Sequence, residues 1–439
     1  MIKISHSVFL ESDKCKGCTT CIKHCPTQAI RVRNGKAHII DENCIDCGQC
    51  IRVCPHRAKR VVCDSLDLLE NYEYKIALPA PSLYGQFGEI NDINVILTAL
   101  CRIGFDDIFE VSKAAEIISD YTRARLKKGD LKLPIISSAC PVALRLIKLR
   151  FPDLLENLMP VIAPVELAAI EAKRIASEKT GLPAEKIGAF FISPCPAKVT
   201  SAKHPIGLAH PVIDGVFSMS EIFVLIHNSF KSIEEPEPLS SSGIMGIGWA
   251  GSGGESSAVL SERHIAVDGI ENILSVLDDI EDERIEDIDF IELNACTQGC
   301  VGGCLTFENP FVARMRIKRL MKYLPVSKNR FIPEDAAPLL WTEPPEYVPV
   351  AQYGENMAES MRLMAKMQAI AKDLPGLDCG SCGAPTCEAL AEDIVLGFGS
   401  EEDCIFKMRE RMQYMAGGDG DDYLPRPFRN LEGDIGNDR

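Results

Sequence analysis

Cysteine sulfur is the chemistry this chain offers, and sixteen of its 19 cysteines fall into four sets of four. Three sets are local: Cys15, Cys18, Cys21 and Cys25; then Cys44, Cys47, Cys50 and Cys54; and, near the C-terminus, Cys379, Cys382, Cys387 and Cys404. The fourth, Cys140, Cys195, Cys296 and Cys300, is collected across about 160 residues. Thiolates spaced in this way are metal ligands, with iron–sulfur clusters the leading reading, zinc the alternative and a disulfide scaffold the third. A set drawn from three distant segments implies a fold built around one inorganic centre. Function is to be sought at that centre.

The first two runs each read C-x2-C-x2-C-x3-C-P, CKGCTTCIKHCP echoed by CIDCGQCIRVCP. They resemble the bacterial two-cluster ferredoxins. The resemblance implies one 4Fe-4S cluster on Cys15, Cys18, Cys21 and Cys54 and another on Cys44, Cys47, Cys50 and Cys25. The C-terminal spacing, C-x2-C-x4-C-x16-C within DCGSCGAPTCEALAEDIVLG, is similar to the small 4Fe-4S domain of the B subunit of Rnf-type electron-transport complexes and of some sensory hydrogenases. Zinc stays open there, because four cysteines do not name the metal. Cys63 and Cys101 fit no set and read as ordinary buried thiols.

Cys140 closes LPIISSACP and Cys195 closes KIGAFFISPCP, each an apolar strand stopped by small residues and followed by proline. In open α/β sheets, ligands gather at the carboxyl ends of strands, where helix amino ends point at them. The third segment, NACTQGCVGGC, puts Cys296 and Cys300 beside glycines that permit close approach to a bulky group. Together SSACP, SPCPAK and NACTQGCVGGC resemble, in order, the three signatures of the FeFe-hydrogenase catalytic domain: TSCCP, MPC with a lysine three residues later, and MACxxGCxxGGG.

This resemblance runs over roughly residues 1 to 320. It implies an H-cluster, with a cubane on Cys140, Cys195, Cys296 and Cys300. Cys300 would bridge to a diiron subsite carrying CO, cyanide and an azadithiolate amine. The other cysteine sets would supply three accessory 4Fe-4S clusters. Lys198 matches the family lysine that hydrogen-bonds a cyanide. Ala80, Pro81 and Ser82, Ser193 and Pro194, and the loop GIGWAGSGG at 246–254 match segments placed against the diiron site. Four positions depart from the family pattern. Ala139 stands where prototypical members carry a proton-passing cysteine, Ser193 replaces a methionine, Ser201 replaces a relay glutamate and Cys304 replaces a glycine. With the C-terminal cluster motif, these departures resemble the sensory groups C and D, and the lack of an appended sensing domain favours a group D-like member.

The elements that must position these residues follow from the pattern. Residues 1–65 read as a two-cluster ferredoxin-like α+β domain. Residues 73–330 read as an α/β catalytic domain of FeFe-hydrogenase type, in which KIALPAP, LPIISSACP, KIGAFFISPCP, GIMGIGWAG and DFIELNAC alternate as short strands with helices such as ELAAIEAKRIASEK. A proline-rich strap at 331–353, a helix at 355–374 with Met357, Met361 and Met364 at helical spacing, a small 4Fe-4S domain at 377–410 and a disordered tail at 416–439 complete the chain.

The formal charge is -16, yet residues 1–63 hold 11 Lys/Arg against 5 Asp/Glu. That basic unit compensates cluster charge and suits an acidic, ferredoxin-like electron carrier better than nucleic acid. No apolar run reaches the roughly 18 residues of a membrane span, and the start lacks a secretory layout, so a cytoplasmic protein is expected. The function expected is the interconversion of H2 with protons and electrons, slow and tied to H2 sensing through a signalling partner. The alternative is a non-catalytic hydrogenase-like iron–sulfur protein, serving cluster assembly or redox relay without the diiron subsite.

Overall fold

A computed structural model describes residues 6–88, 90–327, 339–348, 353–354 and 356–416. Contacts group the chain into two units, one of residues 1–11, 41–52 and 59–350 and the other of 12–40, 53–58 and 351–439. The first cysteine run therefore lies wholly in the second unit, and the second run is divided, Cys44, Cys47 and Cys50 in the first unit and Cys54 in the second.

The first unit is the α/β body. One sheet runs, in spatial order, Asp107–Ile108, Tyr74–Pro79, Ile187–Ser193 and Gly215–Ser218, with every neighbouring pair parallel. A second parallel sheet holds His264–Asp268, Phe290–Asn294 and Ile135–Ile136. The run IGAFFIS is buried at every residue, as expected of a parallel strand covered on both faces. Beneath it Phe190 stacks on Phe217 with ring centroids 5.6 Å apart, and burying each such ring stabilises the body by roughly 1.5–3 kcal/mol.

GIMGIGWAG is not a strand. It forms a short helix, Ile244–Gly248, because its glycines serve backbone contact and not strand pairing. A Cβ on Gly246 would stand 2.0 Å from the Ser112 carbonyl oxygen, and one on Gly254 only 1.9 Å from that of Gly248. No other residue fits at either position.

Residues 41–52, with Cys44, Cys47 and Cys50, are locked into this body by Asp46, which is 1% exposed. Its carboxylate accepts from Ser7 N at 3.1 Å, from Arg145 Nη1 at 3.0 Å and from Thr200 Oγ1 at 2.5 Å. Arg145 lies in the helix Pro141–Arg150 that follows Cys140, and Thr200 in the helix Pro196–Lys203 that follows Cys195. One buried charge thus fixes a local cysteine loop against both helices that open at dispersed cysteines. The described part of the proline-rich strap also lies on this unit: Ile162 N donates to Leu339 O at 2.9 Å, Thr342 N to Gly207 O at 2.8 Å and Val348 N to Lys148 O at 3.0 Å. Residues 331–338 and the tail from 417 lie outside the described residues.

In the second unit the strands Ile30–Arg33 and Lys36–Ile39 pair through the two-residue turn Asn34–Gly35, both left-handed as a tight hairpin demands. Left-handed residues recur at matching places in the two cysteine runs, at Gly17, Thr19 and Gln28 and again at Asp46, Gly48 and Arg57. Backbone amides also reach sulfur alike, Ala29 N to Cys25 Sγ at 3.2 Å and Ala58 N to Cys54 Sγ at 3.3 Å. The C-terminal segment joins this unit through a buried network: Arg31 Nε donates to Asp393 Oδ2 at 2.9 Å, Arg33 pairs with the same carboxylate, and Val32 N donates to Gly383 O at 2.7 Å. The methionine helix is Met357–Asp373, and Met357, Met361 and Met364 all face solvent. No helix among the described residues is long and apolar enough to cross a membrane.

Removing one partner of a buried ion pair strands the other charge. Asp46→Ala is therefore expected to destabilise the first unit by about 3–5 kcal/mol in denaturant unfolding of the apoprotein, whereas Asp130→Ala, at a solvent-screened pair, has a far smaller effect. Equal effects from the two variants would contradict the lock.

Candidate iron–sulfur active site

Each dispersed cysteine stands where a strand gives way to a helix or turn. Cys140 precedes the helix Pro141–Arg150 and Cys195 the helix Pro196–Lys203, each with proline at the first helical position, where a missing N–H costs nothing. Cys296 follows the strand Phe290–Asn294, and Cys300 opens a single 3-10 turn, Cys300–Gly302. Close approach in that turn depends on glycine: a Cβ on Gly302 would lie 2.1 Å from the Thr297 carbonyl oxygen, and one on Gly303 2.2 Å from that of Pro194.

All four cysteines line one cavity, together with Lys198, Ala80, Pro81, Ser82, Ala139 and Pro194. Ser193 is not in the lining. It is fully buried at the strand end, where its hydroxyl donates to Cys195 O at 2.9 Å and accepts from Cys195 N at 3.3 Å, so it shapes the turn that presents Cys195. Trp249 is the residue of the glycine-rich loop 246–254 that lines the cavity. Cys304 does not line it, because its thiol packs toward Gly48, 2.7 Å from where a Cβ on that glycine would stand. Of the remaining cysteines, Cys15, Cys18, Cys21, Cys25, Cys54, Cys379, Cys382, Cys387 and Cys404 are free thiols of the second unit and Cys44, Cys47 and Cys50 of the first, while Cys63 and Cys101, also in the first, are half-buried free thiols.

The electrostatics test whether an iron–sulfur group suits the cavity. Burial pushes the thiols of Cys140 and Cys195 up and that of Cys296 to about 11, so this donor set stays neutral unless a metal draws off its protons. The Lys198 ammonium is half-buried, and its one hydrogen-bond partner among the described residues is Cys300 Sγ at 3.4 Å. Burial works to lower its pKa, but the sulfurs of Cys300, Cys195 and Cys140 outweigh that and hold it above the ordinary lysine value. An ammonium with three donors and one thiol partner, facing a largely apolar cavity whose carboxyls are raised by burial, calls for an anion. A cluster on these four sulfurs fits both demands.

Two buried carboxyls in the lining escape the sequence reading, Glu255 and Glu292. Glu255 accepts from Ser137 Oγ at 2.6 Å, and Ser137 Oγ in turn accepts from Ala139 N at 3.2 Å. Burial, then the neighbouring Glu292, push Glu255 up to about 8, and burial raises Glu292 against the N–H donors of Ser256 and Gly253. A third carboxyl, Glu166, lines an adjoining smaller cavity with Ala139, Lys198 and Ser201, and burial raises it to about 7. The Ser201 hydroxyl there is buried without a partner. A lone acid inside the apolar strand FIELN, and one directly after GSGG, were the signals available in the sequence.

With this geometry in place, the comparisons with known proteins can be read. A family model for the iron-only hydrogenase large subunit, C-terminal domain, matches residues 73–265 and 261–304, a 4Fe-4S dicluster domain matches 7–55, and an Fe-S cluster model matches 374–406. The chain belongs to the iron-only, or FeFe, hydrogenase family, with a ferredoxin-type cluster domain before the catalytic domain and an iron–sulfur domain after it. Among curated relatives it is 30% identical over 219 residues to the periplasmic Fe hydrogenase large subunit of Nitratidesulfovibrio vulgaris, covering 46% of this chain and 52% of that protein. It is 27% identical over 240 residues to iron hydrogenase 1 of Clostridium pasteurianum, covering 50% and 41%. The chain thus spans about half the length of the curated relatives it matches. Among solved structures, a variant FeFe-hydrogenase from Chlamydomonas reinhardtii aligns with a TM-score of 0.49 at 16% identity over 65% of this chain and 98% of that one.

A carboxyl raised to about 8 binds its proton more tightly in the folded state. The stability it contributes is complete below the ordinary carboxyl range and is lost as pH rises through about 8. Wild-type apoprotein should accordingly lose more unfolding free energy between about pH 7 and about pH 9 than Glu255→Gln does, in denaturant titrations at the two pH values. Identical losses would place the proton elsewhere.

Proposed function

We propose that this chain interconverts H2 with two protons and two electrons. The observation that carries the reading is the gathering of Cys140, Cys195, Cys296 and Cys300 with the half-buried Lys198 on one largely apolar cavity. When bound, a cubane with a diiron subsite supplies the redox equivalents, the Lewis-acid metals and the bridging amine base for splitting H2. The four cysteines would hold the cubane and, through it, the diiron subsite. Lys198 binds the anionic ligands of the group, and Ala80, Pro81, Phe191 and Trp249 keep water from it. Three accessory clusters on the other cysteine sets would wire the site to an acidic, ferredoxin-like carrier drawn to the basic N-terminal runs.

The alanine at 139 cannot pass a proton, so turnover is slow by comparison with members that carry a thiol there. The Ser137–Glu255 pair, hydrogen-bonded to the backbone of Ala139 itself, is the chain's remaining proton path into the cavity. Slow turnover suits a regulatory role in which cluster redox state reports H2 to a signalling partner. The non-catalytic alternative, a cubane without the diiron subsite, leaves the part of the cavity lined by Ala80, Pro81 and Ser82 without a group to fill it.

Anaerobic loading should give about 18 irons per chain and infrared bands of metal-bound CO and cyanide, and Cys300→Ser should lose those bands while Cys379→Ser keeps them. Iron near eight with no such bands would refute the reading. In loaded protein, Glu255→Gln should lower H2 evolution by about 10²-fold or more with the infrared bands intact, and Ala139→Cys should raise it. An unchanged rate in Glu255→Gln would remove the Ser137–Glu255 path.

A further inference from the structure

We infer that Arg52, donated by the ferredoxin-type loop, is a positioning residue that sets the reduction potential of the cubane held by Cys140, Cys195, Cys296 and Cys300. This rests on the iron–sulfur reading of that site. Arg52 ends the short helix Gln49–Arg52, two residues beyond Cys50, in the loop that Asp46 locks to the body. Its Nη2 points toward Cys296 Sγ at 3.6 Å and donates to the carbonyl oxygen of Gly302, between Cys300 and Cys304. Among the described residues Arg52 makes no ion pair with a carboxylate; its cation is spent on a ligand sulfur and on the turn that carries Cys300.

The packing around it brings the loop this close. Gly48 is left-handed, with φ 73°, and a Cβ there would collide with Cys304 Sγ at 2.7 Å. The cysteine that replaces a family glycine at 304 therefore fills the seam between the Cys47–Cys50 segment and the Cys296–Cys300 segment. Burial pushes its thiol up to about 12, so it adds bulk there without adding charge. Across that seam Arg52 is the polar link.

A hydrogen bond and a positive charge at a ligand sulfur favour the more reduced, more anionic state of a cluster and so raise its potential. Because Arg52 is exposed, salt screens the long-range part of its effect, and the direct sulfur contact carries the rest. The consequence is directional. One electron leaving a cluster on Cys44, Cys47 and Cys50 finds the neighbouring cubane easier to reduce than it would be without the guanidinium.

The test is an EPR-monitored redox titration of protein carrying its four-iron clusters but no diiron subsite, in the wild type, Arg52→Gln and Arg52→Lys. The cubane's signal is identified by its absence in Cys140→Ser. Arg52→Gln should make the cubane about tenfold harder to reduce, 59 mV for one electron, with Arg52→Lys recovering part of the shift and the Cys15 and Cys379 clusters unmoved. An unshifted cubane in Arg52→Gln at unchanged iron content overturns the inference. So does loss of the cubane in both variants, which would mean that Arg52 only braces the Gly302 turn. A wild type with no cubane signal overturns the reading of the site, and this inference with it.

Discussion

A half-buried lysine ammonium facing four sulfurs organises this molecule. Lys198 lies one helical turn beyond Cys195, and its one partner among the described residues is the Cys300 thiol. A cation in that position is tolerable only if anionic charge is brought to it, and the thiols of Cys140, Cys195 and Cys296, which burial pushes up, supply anionic charge only through a metal. The two parallel sheets, the prolines after Cys140 and Cys195 and the glycine-rich turn at 299–303 all serve to bring those sulfurs to one place. The family membership of residues 73–304 agrees with what the charges require.

Asp46 plays the matching role on the electron side. In a free-standing ferredoxin the two cysteine runs would belong mainly to each other. Here the second run is held by Arg145 and Thr200, on the helices that begin after Cys140 and Cys195, while the first run shares a unit with the C-terminal segment through Arg31, Arg33 and Asp393. Cluster loops and reacting centre are thus braced by buried ionic networks. Such networks are costly to break, and they fix register more than they add stability.

The cavity wall shows how a site that lost a thiol can retain a carboxyl. Position 139 is a methyl group, but the backbone there is bonded to Ser137, and Ser137 to a carboxyl that burial keeps protonated near neutrality. Glu166 does the same for the smaller adjoining cavity, beside the unpartnered hydroxyl of Ser201. Raised carboxyls of this kind are produced by desolvation, so they depend on how tightly the apolar lining closes.

Cysteine spacing determined the local thiol motifs and the ferredoxin-like repeat, and the apolar runs determined the α/β domain and the placement of Cys140 and Cys195 at strand ends, because ligand spacing and apolar runs are local properties that the chain cannot hide. Tertiary structure decided the rest. GIMGIGWAG became a helix because Gly246 meets the Ser112 backbone, a contact 134 residues away in the chain. Ser193 left the cavity wall to hold the Cys195 turn, Cys304 turned toward Gly48, and the carboxyls of Glu255, Glu292 and Glu166 are raised only by being enclosed. A residue's type and spacing say what it can bind, but desolvation and neighbouring charge, which arise only when distant segments pack, decide whether it is charged and what it faces.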